Sequence, residues 1–421
     1  MSTEATPVPT TALQEPTRRV GGLLLTSMAL ANLGIMLAFF APLQNLLPRL
    51  SESVAGADGK EQALAIISGV GVLGAVIGQP ITGALSDRTT SRWGRRRPWL
   101  LGGALLGGVT IAILPTLTTV LTTTLMWLVA QFAVNASYAA LTSTIPDQVP
   151  VVQRGVASGL MGLAQTVGVV LGVGLVAFVV TSLAGGHLLT GLLLVVLTLP
   201  LLFILKDEPL PAADRPTLVW GEFVRGFWVS PRRHPDFAWA WLARFLVSLA
   251  NATATVYLLF FLQDRIGLEA DTASEAQTLL ILLYALGSVL TAITGGYVSD
   301  RSGKRRIYVV ISSVIMAVAA LLLAASTTLP IAYVAAFLLG IGWGWYLAVD
   351  QALITQVLPT AKDRARDLGV INIANSAPQV IAPVIAFVCV KHFGGYPTLY
   401  VITGVITLLG AVAIWPIKSV R

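Results

Sequence analysis

The sequence predicts an all-α membrane protein in which twelve transmembrane helices form two homologous six-helix bundles, with both termini cytoplasmic. Three observations predict this fold class: an apolar composition, a series of long hydrophobic runs and an internal repeat. Of the 421 residues, 55% are hydrophobic and 11% are charged, and the mean hydropathy is +0.80. Soluble proteins carry about 25% charged residues. The composition therefore excludes a soluble enzyme, a disordered regulator and a secreted disulfide-rich protein.

Apolar runs of about 20 residues define the predicted spans, because a helix of that length crosses the hydrocarbon core of a bilayer. Helices are expected rather than strands, since a lipid-exposed backbone must satisfy its own hydrogen bonds and these runs exceed the length of barrel strands. The twelve predicted spans are 21–47, 62–85, 97–117, 119–145, 152–183, 187–205, 236–263, 273–298, 306–327, 330–357, 366–391 and 396–417.

The polar segments predict the domain organisation. Residues 1–19 are rich in Pro and Thr and lack the features of a signal peptide, so they are expected to form a disordered cytoplasmic tail. Residues 206–235 are the longest polar stretch and are expected to form a cytoplasmic linker. This linker separates an N-terminal six-helix bundle, residues 20–205, from a C-terminal six-helix bundle, residues 236–421.

The basic residues predict the orientation. With twelve spans, 22 of the 27 Lys and Arg residues fall on the side that holds both termini, and four fall on the opposite side. Short cytoplasmic loops are enriched in Lys and Arg. The net charge of +7 therefore indicates orientation, and it does not require a nucleic acid or another acidic partner.

An internal repeat relates the two halves of the chain. Gly83-Ala-Leu-Ser-Asp87-Arg88 recurs 213 residues later as Gly296-Tyr-Val-Ser-Asp300-Arg301. Each copy lies between the second and third spans of its half, and each is followed by a glycine and a basic cluster. Two homologous halves with a binding site between them are typical of secondary transporters.

The repeated Asp-Arg pairs predict a gate as well as an orientation. A carboxylate near a helix N-terminus is stabilised by the helix dipole, and arginines in these loops can pair with acidic residues. Such contacts would close the cytoplasmic side in one state and release it in another; a role in topology alone is the alternative. The predicted gate residues are Asp87, Arg88, Arg95, Asp147, Asp300 and Arg301.

Two motifs carry a family resemblance. Gly83-x-x-x-Asp87-Arg88 with the following Gly-Arg-Arg resembles the loop signature of the major facilitator superfamily. The string from Ser86 to Pro98 and the string LGVINIANSAPQ, which begins at Leu368, are similar to sucrose transporters and to glycoside–pentoside–hexuronide symporters. The resemblance implies a major facilitator fold, alternating access and transport of a sugar or glycoside.

One position departs from that pattern. Plant-type sucrose transporters carry a proton-binding Asp where this chain has Gln131, and an Arg where it has Thr142, whereas Asn135 and Asp147 match. Glutamine does not titrate. The resemblance therefore does not imply proton coupling at this position of the chain.

Polar side chains inside the spans predict a central cavity. They fall on common helix faces on spans four, seven and eleven, because residues three, four or seven apart line up on a helix. Amides and hydroxyls suit an uncharged sugar, whose hydroxyls both donate and accept hydrogen bonds, whereas hydrogen bonding between helices is the alternative role. The predicted substrate-binding residues are Gln131, Asn135, Tyr138, Asn251, Tyr257, Trp343, Asn372, Asn375 and Gln379.

Two charges lie inside predicted spans. Asp350 is the one acidic residue well inside an apolar span, and Arg244 is the one basic residue inside a span. A carboxylate in a low-dielectric medium must be protonated or paired. Asp350 is therefore expected to bind a coupling proton or to exchange partners as the halves move, and a static ion pair with Arg244 is the alternative.

These features together predict a secondary transporter of a small neutral polar solute, most simply a sugar or glycoside. Transport is expected to occur by alternating access, either coupled to protons or by facilitated diffusion. An exporter of amphipathic compounds is the runner-up, and a non-transporting membrane sensor is the alternative from another class. We expect no enzyme activity, cofactor, metal or nucleic-acid partner; the partners are the solute, protons and the lipid bilayer. The Arg-rich and Ala-rich composition favours a bacterial inner membrane.

Overall fold

The computed structural model describes residues 16–215, 221, 231–302, 305–357 and 364–417, and the regular structure in these ranges is helical. Residues 1–15 of the predicted tail lie outside the described ranges, as do residues 216–220 and 222–230 of the predicted linker. The all-α prediction is confirmed for the described part of the chain.

The first half of the chain forms six long helices. The first has a π-helical turn at Pro42–Leu46, and the fifth ends in another at Leu175–Val179. The helices are α1 (Gly22–Ala55), α2 (Lys60–Ser86), α3 (Arg97–Ile113), α4 (Val120–Gln148), α5 (Val151–Gly174) and α6 (Leu183–Ile204).

The second half repeats this order with one break. Helix α7 (Pro235–Val256) is followed, across a 42° bend at Tyr257, by the short helical segment Leu258–Arg265. The later helices are α8 (Ala270–Ser302), α9 (Arg305–Ala325), α10 (Leu329–Val357), α11 (Arg364–His392) and α12 (Tyr396–Val412).

Ten helices of the described structure are long and apolar enough to cross a membrane, and the bent pair at Tyr257 makes an eleventh candidate. Helix α12 is apolar but has only 17 residues. The count of twelve spans and the side on which the termini lie stay predictions.

We call the end where residues 87–96 join α2 to α3 the basic end, and the end where residues 56–59 join α1 to α2 the opposite end.

Helix packing repeats at an offset of six. Helices α2 and α4 pack together as α8 and α10 do, and α1 contacts α5 and α6 as α7 contacts α11 and α12. Helix α3 contacts α4 and α6, and α9 contacts α10 and α12 in the same way. Helix α2 also packs against α11, and α5 against α8, which joins the first six helices to the last six. The helix contacts of the second half therefore repeat those of the first half, as the sequence repeat predicts. The domain boundaries at 206–235 stay a prediction.

The outer surface of the helices is apolar. Phe203 is 81% exposed, and Leu121 and Val405 are 68% and 51% exposed. A soluble protein rarely leaves a contiguous apolar surface of this kind uncovered. Side chains of this type on membrane helices face lipid, so the exposed residues describe a lipid-facing surface.

Glycines bring α2 close to α4. A Cβ on Gly74 would lie 2.5 Å from the carbonyl oxygen of Leu128, and a Cβ on Gly78 would lie 3.1 Å from that of Phe132. Small residues at helix interfaces allow backbones to approach in this way. Packing therefore depends on the missing side chain at these positions.

We expect Gly74→Ala to destabilise the protein by about 1–3 kcal/mol, because the added methyl group must displace the backbone of α4. Thermal unfolding in detergent, followed by tryptophan fluorescence, measures the effect. Gly102→Ala is the matched control, since nothing lies within 4 Å of the added Cβ there. Equal melting temperatures for the two variants would contradict the close α2–α4 contact.

Candidate functional site

A buried ion pair joins α7 and α10. Arg244 Nη1 lies 3.1 Å from Asp350 Oδ2, and the two residues are 4% and 3% exposed. Removing two charges from water costs several kcal/mol each unless geometry and further hydrogen bonds compensate. The surroundings of the pair therefore decide whether it can exist.

Two further side chains provide that compensation. Arg244 Nε donates to Asn375 Oδ1 on α11 at 2.8 Å, and the Tyr346 hydroxyl donates to Asp350 Oδ1 at 3.1 Å. We call Arg244, Asp350, Asn375 and Tyr346 the ion-pair cluster. Asp350 Oδ1 and Arg244 Nε have hydrogen-bond partners in it, whereas Asp350 Oδ2 contacts Arg244 Nη1 at an ion-pair distance without a hydrogen bond. The salt bridge joins α7 to α10, and the hydrogen bond to Asn375 adds α11.

Aromatic rings lie against the cluster. The ring of Trp343 stacks on that of Tyr346, with centroids 5.6 Å apart and an interplanar angle of 27°. Trp343 is half-buried. Its ring limits the freedom of Tyr346, and so holds the hydroxyl that donates to Asp350.

The predicted polar stripe on α4 is present and buried. Asn135 Nδ2 donates to the carbonyl oxygen of Gln131 at 2.8 Å and lies 3.3 Å from its Oε1. One helical turn further along, Tyr138 is half-buried and meets Phe39 edge to face, with centroids 6.3 Å apart. These residues place amide groups and a phenol on one face of the helix.

The second polar face lies on α7. Asn251 Oδ1 accepts a hydrogen bond of 3.0 Å from the hydroxyl of Tyr284 on α8. A mainly apolar pocket beside Tyr284 is lined by residues of both halves, including Gln44 of α1 and Thr255 of α7. Hydrogen-bonding groups and apolar surface therefore meet in the same region.

Three further predicted substrate residues lie at the bend after α7 and on α11. Tyr257 lies at the bend after α7, is 1% exposed and donates to the carbonyl oxygen of Glu61 at 2.6 Å. Gln379 is half-buried on α11. Asn372 belongs to α11, but its side chain lies outside the described part of the structure. Their roles in binding stay predictions.

A second charged cluster lies at the basic end. Asp147 Oδ2 is 3.2 Å from Arg95 Nη2 and 2.7 Å from Arg96 Nε. Arg96 also reaches Asp87 Oδ1 at 2.6 Å and donates to Ser86 Oγ at 2.9 Å. The loop after α2 is thus tied to the end of α4, within the first six helices.

Arg96 is a residue that the sequence did not single out. Burial alone would lower its pKa, but the carboxylates of Asp147 and Asp87 outweigh that effect and raise the pKa above its ordinary value. Three consecutive arginines occupy 95–97, and the sequence contains no signal that selects the central one. Its role follows from the geometry alone.

Asp207 was also missed. Its Oδ2 accepts from the backbone N–H groups of Arg96 and Arg97 at 2.6 and 2.8 Å, so it caps the N-terminus of α3. Gly94 has a φ of +96°, and a Cβ there would collide with the Asp207 side chain. Glycine is therefore required where the loop turns into α3.

The structure gives fewer contacts for the other predicted gate residues. Arg88 is half-buried next to Asp87, and Arg301 is exposed at the end of α8. The side chain of Asp300 lies outside the described structure. The gating role of all six predicted residues stays a prediction.

We expect Arg244→Leu to cost about 3–5 kcal/mol of stability, because it leaves the Asp350 carboxylate buried without a cation. The double variant Arg244→Leu/Asp350→Leu should recover most of this loss, since neither charge of this pair is then left buried without the other. Thermal unfolding of both variants in the same detergent measures the difference. A double variant that is less stable than Arg244→Leu would contradict the pairing.

Comparisons with known proteins agree with the helical membrane fold. The family model described as Major Facilitator Superfamily matches residues 20–282 and 269–420. The multidrug resistance protein MdtL of Klebsiella pneumoniae (strain 342) is 28% identical over 150 residues, which is 35% of this chain. The matched region spans 38% of that relative's length.

Solved structures share the fold along almost the whole chain. The nucleoside transporter NupG has a TM-score of 0.71 at 15% identity, with 95% of this chain and 100% of that chain covered. A D-xylose-proton symporter has a TM-score of 0.68 at 17% identity, with 95% and 98% covered. Identities this low establish the fold and not the substrate. With the family model matching nearly every residue from 20 to 420, the chain belongs to the Major Facilitator Superfamily of multi-pass membrane transporters.

Proposed function

We propose that the protein is a secondary transporter that moves a small neutral polar solute, a sugar or a glycoside, by alternating access coupled to protons. The observation that carries this proposal is the ion-pair cluster of α7, α10 and α11. A charged pair inside membrane helices is expensive and marks solute or ion pathways in such proteins.

The chemistry of the polar faces supports a neutral solute. Gln131, Asn135 and Asn251 supply amides, and Tyr138 and Tyr284 supply hydroxyls, whereas the buried charges near the centre pair with each other. Amides and hydroxyls both donate and accept hydrogen bonds, as sugar hydroxyls do. An ionic solute would require an unpaired charge of opposite sign.

Asp350 is the group we assign to proton coupling. As a carboxylate it holds Arg244 Nη1 at 3.1 Å. When a proton binds to it, the carboxyl becomes neutral and the attraction to Arg244 is lost, while Arg244 keeps its contact with Asn375. Helix α10 is then free to move relative to α7. Proton binding thus changes which helices are held together, which is what a coupled transporter requires.

The positive-inside rule supports placing the basic end in the cytoplasm, with the protein in a bacterial inner membrane. The cluster around Asp147 then lies on the cytoplasmic side. Its ion pairs tie the loop after α2 to α4 within the first six helices, and we assign this loop to the gate proposed for that side.

Export of amphipathic compounds is the second candidate. The similarity to the multidrug resistance protein MdtL favours it, and so does the mainly apolar lining of the pocket beside Tyr284, which includes Leu258, Ile281 and Leu339. A promiscuous apolar surface binds such compounds without specific hydrogen bonds.

Counterflow in proteoliposomes separates the two candidates. We expect one or more neutral sugars in a panel to show uptake of labelled solute that is stimulated by the same unlabelled solute inside. Empty liposomes are the control. Extrusion of lipophilic dyes with no sugar counterflow would contradict the sugar proposal and favour the exporter.

For the responding solute, we expect Asp350→Asn to abolish accumulation against a gradient under an imposed proton gradient, while exchange at equal concentrations continues. The amide cannot release a proton, so the solute gradient is uncoupled. Asp214→Asn, in an exposed loop, is the matched control and should accumulate normally. Normal accumulation by Asp350→Asn would overturn the coupling role.

A further inference from the structure

A groove opens on the outer surface of the second half of the molecule, between α11 and α12 and next to the opposite end. Its volume is about 290 Å³. Two of its residues, Val384 and Phe393, are 48% and 62% exposed, whereas Cys389 is 3% exposed. The residues that line the groove are Val384, Ile385, Val388, Cys389, Phe393 and Ile402.

The lining of the groove is apolar, because a free cysteine thiol behaves as a small hydrophobic group. The groove is also continuous with the lipid-facing surface. Ile381 on α11 and Val401 on α12 flank it and are 36% and 43% exposed. Hydrocarbon chains cover apolar surface of this kind in a membrane. The groove therefore takes its occupant from the bilayer.

The length of the groove suits one acyl chain. Val384 precedes His392, the last residue of α11, by eight residues. A helix rises 1.5 Å per residue, so this distance is about 12 Å. One leaflet contributes about 15 Å to the hydrocarbon core of a bilayer. A chain that lies in the groove therefore runs through most of one leaflet, from the membrane surface towards its centre.

Polar groups lie where the groove reaches the end of the helices, a region that we call its mouth. His392 follows Val388 by four residues and Ile385 by seven, so it continues the groove face of α11, and it is exposed. Thr398 on α12 precedes Ile402 by four residues and is half-buried. An imidazole and a hydroxyl thus lie at the membrane-surface end of an apolar groove.

The N-terminus of α12 adds positive electrostatic potential to the mouth. In the described structure no side chain caps this helix, and its first turn, which begins at Tyr396, contains no acidic residue. N–H groups of a first helical turn lack partners within the helix and attract phosphate. The Glu61 carboxylate nearby is paired with Lys391 at 3.3 Å. The mouth therefore favours an anion.

We propose that the groove binds one phospholipid with an anionic headgroup. One acyl chain lies between α11 and α12, and the phosphate lies at the mouth, between His392 and the first turn of α12. The site faces the bilayer and lies apart from the ion-pair cluster. It requires only that these helices cross a membrane, so its test is independent of the sugar and proton proposals.

Native mass spectrometry of the full-length protein in detergent tests this site. The protein is mixed with equal amounts of phosphatidylglycerol and phosphatidylcholine that carry identical acyl chains. We expect a complex with one bound lipid, in which phosphatidylglycerol exceeds phosphatidylcholine by about two- to fivefold, the effect of an anionic group at a helix N-terminus.

Val384→Trp should abolish the complex with one lipid, because the indole fills the groove. Val318→Trp on α9 is the matched control and should bind lipid as the wild-type protein does. Val318 is 46% exposed and lies seven residues before Ala325, the end of its helix, so its depth in the membrane is similar. His392→Gln should lower the preference for phosphatidylglycerol and leave the binding of phosphatidylcholine unchanged.

Glycerol 3-phosphate has the phosphate but no acyl chain, and it should not displace the bound lipid. Displacement by an equal concentration of it would overturn the acyl chain as the main part of the ligand. Equal lipid binding by Val384→Trp and Val318→Trp would overturn the groove as the site. Equal binding of the two lipids by the wild-type protein would overturn the anionic headgroup.

Discussion

The structure depends on one electrostatic constraint: Arg244 and Asp350 are charged, lie inside helices otherwise made of apolar residues, and are almost completely buried. Neither charge can leave the pair without being neutralised or meeting another partner. This requirement holds α7, α10 and α11 in register, because Asn375 and Tyr346 must also reach the pair. A buried pair of this kind adds little net stability against an apolar pair of the same shape. The change of partner that we propose for Asp350 during transport would account for its presence.

Further ion pairs lie at the two ends of the helices. At the basic end, Asp147 and Asp87 share Arg96. At the opposite end, Asp264 binds Lys60 of the other half. The first set holds one half of the molecule together, and the second joins the two halves. Helix α7 carries Arg244, and the segment beyond Tyr257 carries Asp264, so one stretch of chain contributes to both the buried pair and the contacts at the opposite end.

Much of the fold follows from the sequence because lipid imposes simple rules. Apolar runs of about 20 residues predict the helices, and the repeat of Gly83-x-x-x-Asp87-Arg88 at Gly296 predicts the repeated packing of helices. Arg244 and Asp350 were recognised because a charge in an apolar run is rare. The sequence leaves a pair between them as one alternative, and the structure shows that they meet although they are 106 positions apart along the chain and lie on different helices.

The details of the site were less predictable. The sequence predicts that Tyr257 binds the solute; the structure shows its hydroxyl donating to the backbone carbonyl of Glu61 on α2, a contact that the sequence does not predict, and its role in binding stays a prediction. No proline or glycine marks the break in the helix at this residue, as Val256 and Leu258 flank Tyr257. Arg96 and Asp207 were missed for a related reason. The partners of these loop residues lie on helices that are distant in sequence. The periodicity of apolar residues along the chain does not predict which helices come together.

We propose that the Arg244–Asp350 pair couples solute movement to proton movement. The proton flux that accompanies solute uptake tests this coupling and is recorded with a pH-sensitive dye trapped inside proteoliposomes. Adding the transported solute outside should acidify the interior with the wild-type protein and leave the pH unchanged with Asp350→Asn. Solute uptake by the wild-type protein without acidification, or the same acidification with Asp350→Asn, would contradict it.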